Sequence, residues 1–189
     1  SEAQRALCWQ VFTQVQAQLK QLGKITRAEM FAKLAAAMAK RKHPVFDYIV
    51  VDEAQDISVQ QLRFLATIAD NRANALFFSG DLGQRIFQTP FSWKNLGVDV
   101  RGRSRTLNIN YRTSHQIRSQ ADRLLGPEVS DVDGNVESRK GTISVFNGPE
   151  PTICSYADAE AESQAVGVWL QQCSASGVLP QEIGVFVRS

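Results

Sequence analysis

The sequence predicts an α/β fold with parallel sheets, because short apolar runs alternate with amphipathic helical segments. Three runs carry this prediction and are expected to form one sheet, at residues 48–52, 75–79 and 106–109. A continuous apolar run is typical of a strand buried on both faces of a parallel sheet. Each run ends in polar residues, and open α/β sheets bind their ligands at the carboxyl ends of their strands. The sequence therefore predicts a ligand site where these runs end.

Helical spacing of apolar residues predicts five helices around these runs. The first covers residues 2–22, with a stripe formed by Leu7, Val11, Val15, Leu19 and Leu22. Capping boxes at residues 26–29 and 58–61 predict where the second and third helices begin, and the second is expected to reach residue 42. A fourth helix is predicted over residues 113–125, and a fifth begins at Asp158.

The composition changes after the fourth predicted helix. Residues 126–141 contain several glycines and acids and one proline, which is typical of a linker or mobile loop. Short strands are expected over residues 142–146 and 152–156, and a last apolar strand over residues 183–187.

Composition and charge exclude several classes of protein. Of the 189 residues, 43% are apolar and 21% are charged, so a packed core is expected rather than disorder. The net charge of +2 favours no particular partner. Cys8, Cys154 and Cys173 show no metal-binding spacing, which predicts free, buried thiols in a reducing compartment. No apolar run approaches the roughly 18 residues of a membrane span, so a cytoplasmic protein is expected.

The first apolar run ends in a distinctive acidic pair, Asp52-Glu53. This is the pattern of a Walker B strand. Asp52 would hold Mg²⁺ through an oxygen ligand or a bound water. Glu53 would orient or deprotonate the water that attacks a γ-phosphate. The alternative is a core strand that simply runs into an acidic turn.

The polar segments after the three runs resemble the motifs of UvrD/Rep/PcrA-type helicases of superfamily 1. Residues 51–56 look like motif II, residues 80–87 like motif III and residues 107–113 like motif IV. The closing residues 182–189 are similar to a strand in the second motor domain of that family. Order and spacing match over residues 25–189.

This resemblance implies a RecA-like P-loop NTPase fold with parts of two parallel-sheet motor domains. Residues 1–112 would form the C-terminal half of the first, ATP-binding domain, and residues 113–189 the N-terminal part of the second. With ATP and Mg²⁺ as cofactors, the parent protein would move along single-stranded or partly duplex DNA. Two alternatives stay open: a nuclease-linked or RNA-directed motor, and a non-catalytic module for nucleic-acid binding or protein interaction that keeps the fold.

The resemblance also implies roles for individual residues. Glu53 would be the catalytic base, Gln84 would contact the γ-phosphate or its attacking water, and Arg112 would be an arginine finger. Asp52 would be the metal ligand, Asp81 would contact the nucleotide, and Tyr111 would stack on the adenine base. Gln55 and Asp56 would link the site to neighbouring loops. Outside this motif context, a surface ion pair would explain Arg112 and a core position would explain Tyr111.

The loop after motif III faces DNA in this family, where an aromatic side chain stacks on a single-stranded base. Phe87, Phe91 and Trp93 are the candidates, because the usual Tyr-x-Trp-Arg-like run is replaced here by residues 87–94. Trp93 is the first choice, with burial in the core as its alternative. Nearby arginines would touch phosphate or lie in a solvated loop: Arg101, Arg103 and Arg105.

Two parts of a complete motor have no counterpart in the sequence. No Gly-x-x-x-x-Gly-Lys-Ser/Thr motif occurs, so the loop that cradles phosphates is missing, and nothing matches motifs V and VI. The chain is therefore expected to be an internal slice of a longer motor that does not hydrolyse ATP by itself.

Overall fold

The computed structural model describes residues 2–70, 72–85, 87–124, 126 and 128–187. Within them it combines five α-helices with three two-stranded sheets, two of which are parallel. This confirms a mixed α/β fold. The chain divides into two compact units between Asn147 and Gly148. The motor-domain boundary expected between residues 112 and 113 stays a prediction.

Two helices begin the first unit, α1 (Glu2–Gln21) and α2 (Arg27–Met38). Thr26 confirms the predicted capping box: its hydroxyl accepts a hydrogen bond from the Glu29 backbone N–H at 3.2 Å, and the Glu29 carboxylate accepts one from the Thr26 N–H at 2.8 Å. These bonds satisfy donors that have no partner inside the helix. α2 ends well before residue 42. The predicted apolar stripe of α1 is present but exposed, with Leu7 62% accessible.

The core of the first unit lies between a parallel strand pair and a helix. β1 (Ile49–Val51) pairs with β2 (Leu76–Phe78), and α3 (Val59–Ala69) connects them. α3 begins at the second predicted capping box, where the Ser58 N–H and the Gln61 side chain are 2.9 Å apart. Leu62 of α3 is fully buried, against half-buried residues of both strands.

The prediction that β1 and β2 are buried on both faces is wrong for this chain. Val50 lies opposite Phe77 in the ladder, and these side chains are 72% and 62% exposed. Within the described residues only the α3 side of this sheet is covered, since Val51, Leu76 and Phe78 pack against the core there.

The chain then passes through β3 (Ile109–Asn110), α4 (His115–Asp122), β4 (Glu128–Ser130), β5 (Val136–Ser138) and β6 (Ile143–Ser144). β3 does not join the β1–β2 sheet, so that expectation for residues 106–109 is wrong. It pairs in parallel with β6 instead, because the N–H of Ile143 donates to the Asn108 carbonyl at 2.7 Å. The Ser114 side chain caps α4, while Leu125, its predicted end, lies outside the described residues.

Residues 128–138 form an antiparallel hairpin, so the prediction of a linker or mobile loop over residues 126–141 is wrong. β4 and β5 pair with Val129 opposite Glu137. Asp131 shapes the connection: its Oδ1 accepts hydrogen bonds from the N–H groups of Asp133 at 2.9 Å and Asn135 at 2.8 Å. An Asp-Gly pair lies in this connection, and Gly134 adopts a φ of 83°. That left-handed conformation favours glycine.

The second unit is built on α5 (Ala159–Ala175), which begins at Asp158 as predicted. The Asp158 carboxylate accepts a hydrogen bond from the Ala161 N–H at 2.8 Å. Neither residues 152–156 nor residues 183–187 form a strand, so both expectations are wrong: within the described residues no second strand pairs with either segment. The predicted motif at residues 182–189 ends in two residues outside the described ranges.

Two further expectations can be compared with the described residues. The cysteines are free as predicted, but Cys8 and Cys154 are exposed rather than buried. None of the described helices combines the length and the apolar character that crossing a bilayer requires.

Candidate functional site

The carboxylate of Asp52 lies at the end of β1, held by the neighbouring strand. Its Oδ1 accepts hydrogen bonds from the Ser79 hydroxyl at 2.7 Å and from the Glu53 backbone N–H at 3.0 Å. The Ser79 hydrogen bond, followed by that of the Glu53 N–H, holds the pKa of Asp52 below its usual range. Asp52 is thus an exposed, ionised carboxylate whose described hydrogen bonds both use Oδ1.

Glu53 turns the chain sharply after Asp52. Its backbone has a φ of 52° and a ψ of 44°, the left-handed region that non-glycine residues seldom adopt. A 3₁₀ turn, Ala54–Asp56, follows directly. The Glu53 carboxylate accepts a hydrogen bond of 2.6 Å from the Gln55 side-chain amide. The turn therefore brings the acid and the amide together.

Gln55 connects this turn to the loop after β2. Its side chain is buried, with 6% of the residue exposed, and its Oε1 accepts a hydrogen bond from the Asp81 backbone N–H at 3.1 Å. Gly80 makes this approach possible, because a Cβ at that position would lie 2.5 Å from Gln55 Oε1 and 3.1 Å from the Ala54 N. Only glycine fits this gap without displacement.

Asp81 carries the connection on to Gln84. One carboxylate oxygen accepts from the Gly83 N–H and the other from the Gln84 side-chain amide, both at 2.8 Å. These bonds shape the 3₁₀ turn Leu82–Gln84. Glu53, Gln55, Asp81 and Gln84 thus form one hydrogen-bonded series, which we call the polar relay.

The structure does not bring Tyr111 and Arg112 into the polar relay. Both are exposed, and they follow β3 in a turn set by Asn110, whose side-chain oxygen accepts from the Arg112 N–H at 2.9 Å and the Thr113 N–H at 3.2 Å. Among the described residues, no hydrogen bond or ion pair joins either side chain to Asp52 or Gln84. Their roles at the site stay predictions.

The three candidate aromatic residues differ in exposure. Phe87 is 76% exposed. Phe91 and Trp93 are half-buried against the core of the first unit, and the Trp93 ring meets Phe78 edge to face with centroids 4.8 Å apart. Ile86, which precedes Phe87 in the predicted motif, lies outside the described residues.

Two of the three candidate arginines are engaged locally. Arg101 forms a two-pronged contact with Asp99, at 2.9 Å and 2.6 Å, which lowers the pKa of Asp99 to about 2. Arg103 donates to the side chain of Asn74. Both contacts are exposed, so the arginines are restrained but accessible.

Sequence reasoning missed Ser79 as the partner of Asp52. The only signal was a hydroxyl residue at the end of the neighbouring apolar run. It also missed the hairpin carboxylates that contact the loop after β2, although Asp133-Gly134 between two short runs is a hairpin signal. Throughout the described residues, no three histidine, cysteine or acidic side chains cluster to form a ready-made metal site.

Together, these features define an α/β protein with its polar cluster at the carboxyl ends of two adjacent parallel strands, where such sheets bind ligands. Residues 2–94, about half of the chain, match the family described as the UvrD/REP helicase N-terminal domain. The chain therefore carries a segment of a UvrD-type helicase.

Relatives with printed names support this assignment. The chain is 27% identical over 158 residues to "ATP-dependent DNA helicase UvrD2" of Mycobacterium tuberculosis and of Mycobacterium bovis, an alignment that covers 81% of the chain and 22% of each relative. It is 26% identical over 149 residues to "Putative ATP-dependent DNA helicase YjcD" of Bacillus subtilis, covering 76% of the chain and 19% of that relative. The chain thus spans about a fifth of the length of these relatives.

Proposed function

We propose that the chain is part of an ATP-dependent DNA helicase that couples ATP hydrolysis to movement along single-stranded DNA. The observation that carries this proposal is the polar relay, because it links an acid suited to general-base catalysis to an amide suited to a γ-phosphate contact. The names of the relatives support the same activity.

ATP and Mg²⁺ are the cofactors of this proposal. Asp52 fits a magnesium ion, because it is exposed, its hydrogen bonds keep the carboxylate ionised, and Mg²⁺ is commonly held by one or two carboxylates together with substrate phosphates. Bound there, the ion would neutralise charge that develops on the phosphates.

Within the relay, Glu53 would orient and deprotonate the attacking water, and Gln84 would contact the γ-phosphate or that water. Gln55 would hold the Glu53 carboxylate through its amide N–H, leaving the other carboxylate oxygen for the water. Asp81 would fix Gln84 beside the nucleotide.

Motif IV would complete the site in a RecA-like arrangement. Arg112 would supply the arginine finger and Tyr111 would stack on adenine, each from the turn after β3. Their exposure supports this role, since both side chains are open to a ligand. Residues 1–112 and 113–189 would belong to the two motor domains, and the nucleotide would lie between them in the parent protein.

Phe87 is the aromatic residue that best fits a stacking contact with single-stranded DNA. A base can stack only on a ring face that solvent reaches, and Phe87 exposes 76% of its surface. Phe91 and Trp93 instead pack partly against the core, which supports a structural contribution from both. The favoured candidate thus moves from Trp93 to Phe87.

A binding titration in the parent protein tests the DNA part of the proposal. Phe87→Ala should weaken binding to oligo-dT and to a mixed-sequence single strand alike, by about 1–3 kcal/mol, because stacking is tolerant of base identity. Fluorescence anisotropy measures both affinities. Trp169→Ala is the matched control, since it removes an exposed aromatic residue from α5. Equal affinities for wild type and Phe87→Ala would refute this contact.

A further inference from the structure

We infer that the β4–β5 hairpin is a positioning element. It holds the two turns on either side of Phe87 and thereby fixes the position of the Phe87 ring. The inference rests on the proposed function for its consequence, DNA binding, but its structural content can be tested separately. The two turns are Leu82–Gln84 and Lys94–Leu96. The hairpin contacts the chain at both of them.

At the first turn, β5 and the residue after it supply two contacts of opposite charge. The Glu137 carboxylate accepts a hydrogen bond from the Leu82 backbone N–H at 3.2 Å. Just beyond β5, the Arg139 guanidinium lies 3.6 Å from the carboxylate of Asp81. Since Asp81 also binds the Gln84 amide, the hairpin reaches the polar relay directly.

At the second turn, the Asp133 side chain caps the backbone N–H groups at the start of Lys94–Leu96, although Asp133 lies about 40 residues further along the chain. Its carboxylate accepts hydrogen bonds from the Ser92 hydroxyl and from the backbone N–H groups of Trp93 at 2.7 Å and Lys94 at 3.0 Å. Partial desolvation acts to raise the pKa of Asp133, but the hydrogen bonds from Ser92, Lys94 and Trp93 outweigh it and lower the pKa. The carboxylate therefore stays ionised, and hydrogen bonds to a charged acceptor are the stronger kind.

The hairpin is itself anchored, as a positioning element must be. Arg139 donates to the Asp122 carboxylate of α4 at 2.9 Å, and Asp122 also pairs with Arg118 at 3.0 Å. Arg118 donates in addition to the carbonyl groups of Thr142 and Arg139. These contacts tie the base of the hairpin to α4, while Asp131 holds the tip that carries Asp133.

Holding both turns in place lowers the conformational entropy that the loop between them loses when a base stacks on Phe87. A binding loop that is held before its ligand arrives loses less conformational entropy on binding. The hairpin also contacts Asp81 and Leu82. A displacement of the Leu82–Gln84 turn would therefore change the contacts between that turn and the hairpin. The hairpin thus connects the proposed γ-phosphate contact to the proposed DNA contact.

Amide hydrogen exchange on the 189-residue chain tests the hydrogen bonds between the hairpin and the two turns. Asp133→Ala should speed exchange of the Trp93 and Lys94 amides by about tenfold or more, the effect expected when hydrogen bonds to a charged group are lost. Glu128→Gln, an exposed hairpin acid, should leave both rates unchanged. If Asp133→Ala does not fold, Glu137→Ala, which removes the acceptor of the Leu82 N–H, is the second variant, read at the Leu82 amide. Unchanged exchange at these amides would overturn the inference.

Anisotropy titrations with oligo-dT then test the consequence. In the parent protein, Asp133→Ala should weaken single-strand binding severalfold, and adding Phe87→Ala to it should cost less than Phe87→Ala costs alone, because both changes remove the same contact. Additive losses would overturn the positioning role. If wild type binds no DNA, the proposed function fails, while the exchange result still decides whether the hairpin grips the loop.

Discussion

The buried side chain of Gln55 joins two loops through a single amide group. Its side-chain N–H donates to Glu53 and its side-chain oxygen accepts from the Asp81 backbone N–H. The two ends of the amide therefore bind different loops, one as donor and one as acceptor. Glutamate could not donate to Glu53, and leucine could satisfy neither partner. The identity of this residue is therefore explained by hydrogen bonding rather than by packing alone.

Ser79 makes the largest contribution to the lowered pKa of Asp52. Ser79→Ala removes the hydroxyl that donates to Asp52 Oδ1, so the pKa of Asp52 should rise toward that of an ordinary aspartate. Because the folded-state pKa is lowered, this hydrogen bond stabilises the fold above the unfolded-state pKa, and the contribution is lost as pH falls through the folded-state pKa. The variant should therefore lose less stability on acidification.

A carboxyl NMR titration of Asp52 measures this change, and urea unfolding at several acidic pH values measures its effect on stability. Ser130→Ala, an exposed serine on β4, is the matched control and should leave the Asp52 titration unchanged. An Asp52 titration that is the same in Ser79→Ala and wild type would contradict the strand-end geometry.

At the scale of elements, local signals predicted helices better than sheets. The capping boxes at Thr26 and Ser58 depend on residues three positions apart, and both are present as predicted. The pairing of β3 with β6 depends instead on segments more than 30 residues apart, for which the sequence offers no local signal. The same holds for Asp133, which accepts hydrogen bonds from the Trp93 and Lys94 backbone about 40 residues away.

The contact between the turn after β1 and the loop after β2 depends on Gly80. Gly80→Ala should destabilise the first unit by about 1–3 kcal/mol, because the added methyl group would press on Gln55 and on backbone at Ala54. Gly167→Ala is the matched control: apart from the adjacent backbone of α5, an added Cβ would meet no described atom within 4 Å, and alanine favours the α5 helix. Urea unfolding measures both free energies.

The two glycine variants should therefore shift stability in opposite directions. A Gly80→Ala chain as stable as wild type would mean that the two loops do not approach as closely as the structure shows. Its Glu53 and Asp81 resonances should also shift, since both residues bond to the displaced Gln55 amide.

At the scale of the whole molecule, the sequence predicted only part of the clustering of polar residues at the strand ends. Asp52, Glu53, Asp81 and Gln84 were expected to lie together with Tyr111 and Arg112. Hydrogen bonds connect the first four at the ends of β1 and β2, partly through Gln55. Among the described residues none joins the side chains of Tyr111 or Arg112 to Asp52 or Gln84. Exposure was predicted less well. Val50 and Phe77 were predicted to be buried, but both are exposed. The apolar runs of β1 and β2 are typical of strands covered on both faces, but within the described residues these two strands pair only with each other.

Phosphate release tests the central claim most directly, measured on the 189-residue chain and on the parent protein with and without single-stranded DNA. The account predicts no turnover by the chain, whose sequence lacks the phosphate-cradling loop. It predicts DNA-stimulated turnover by the parent that Glu53→Gln abolishes while ATP binding is kept, and that Glu150→Gln leaves intact. Turnover by the chain alone that is sensitive to Glu53→Gln, or a Glu53→Gln parent with wild-type rates, would contradict the account.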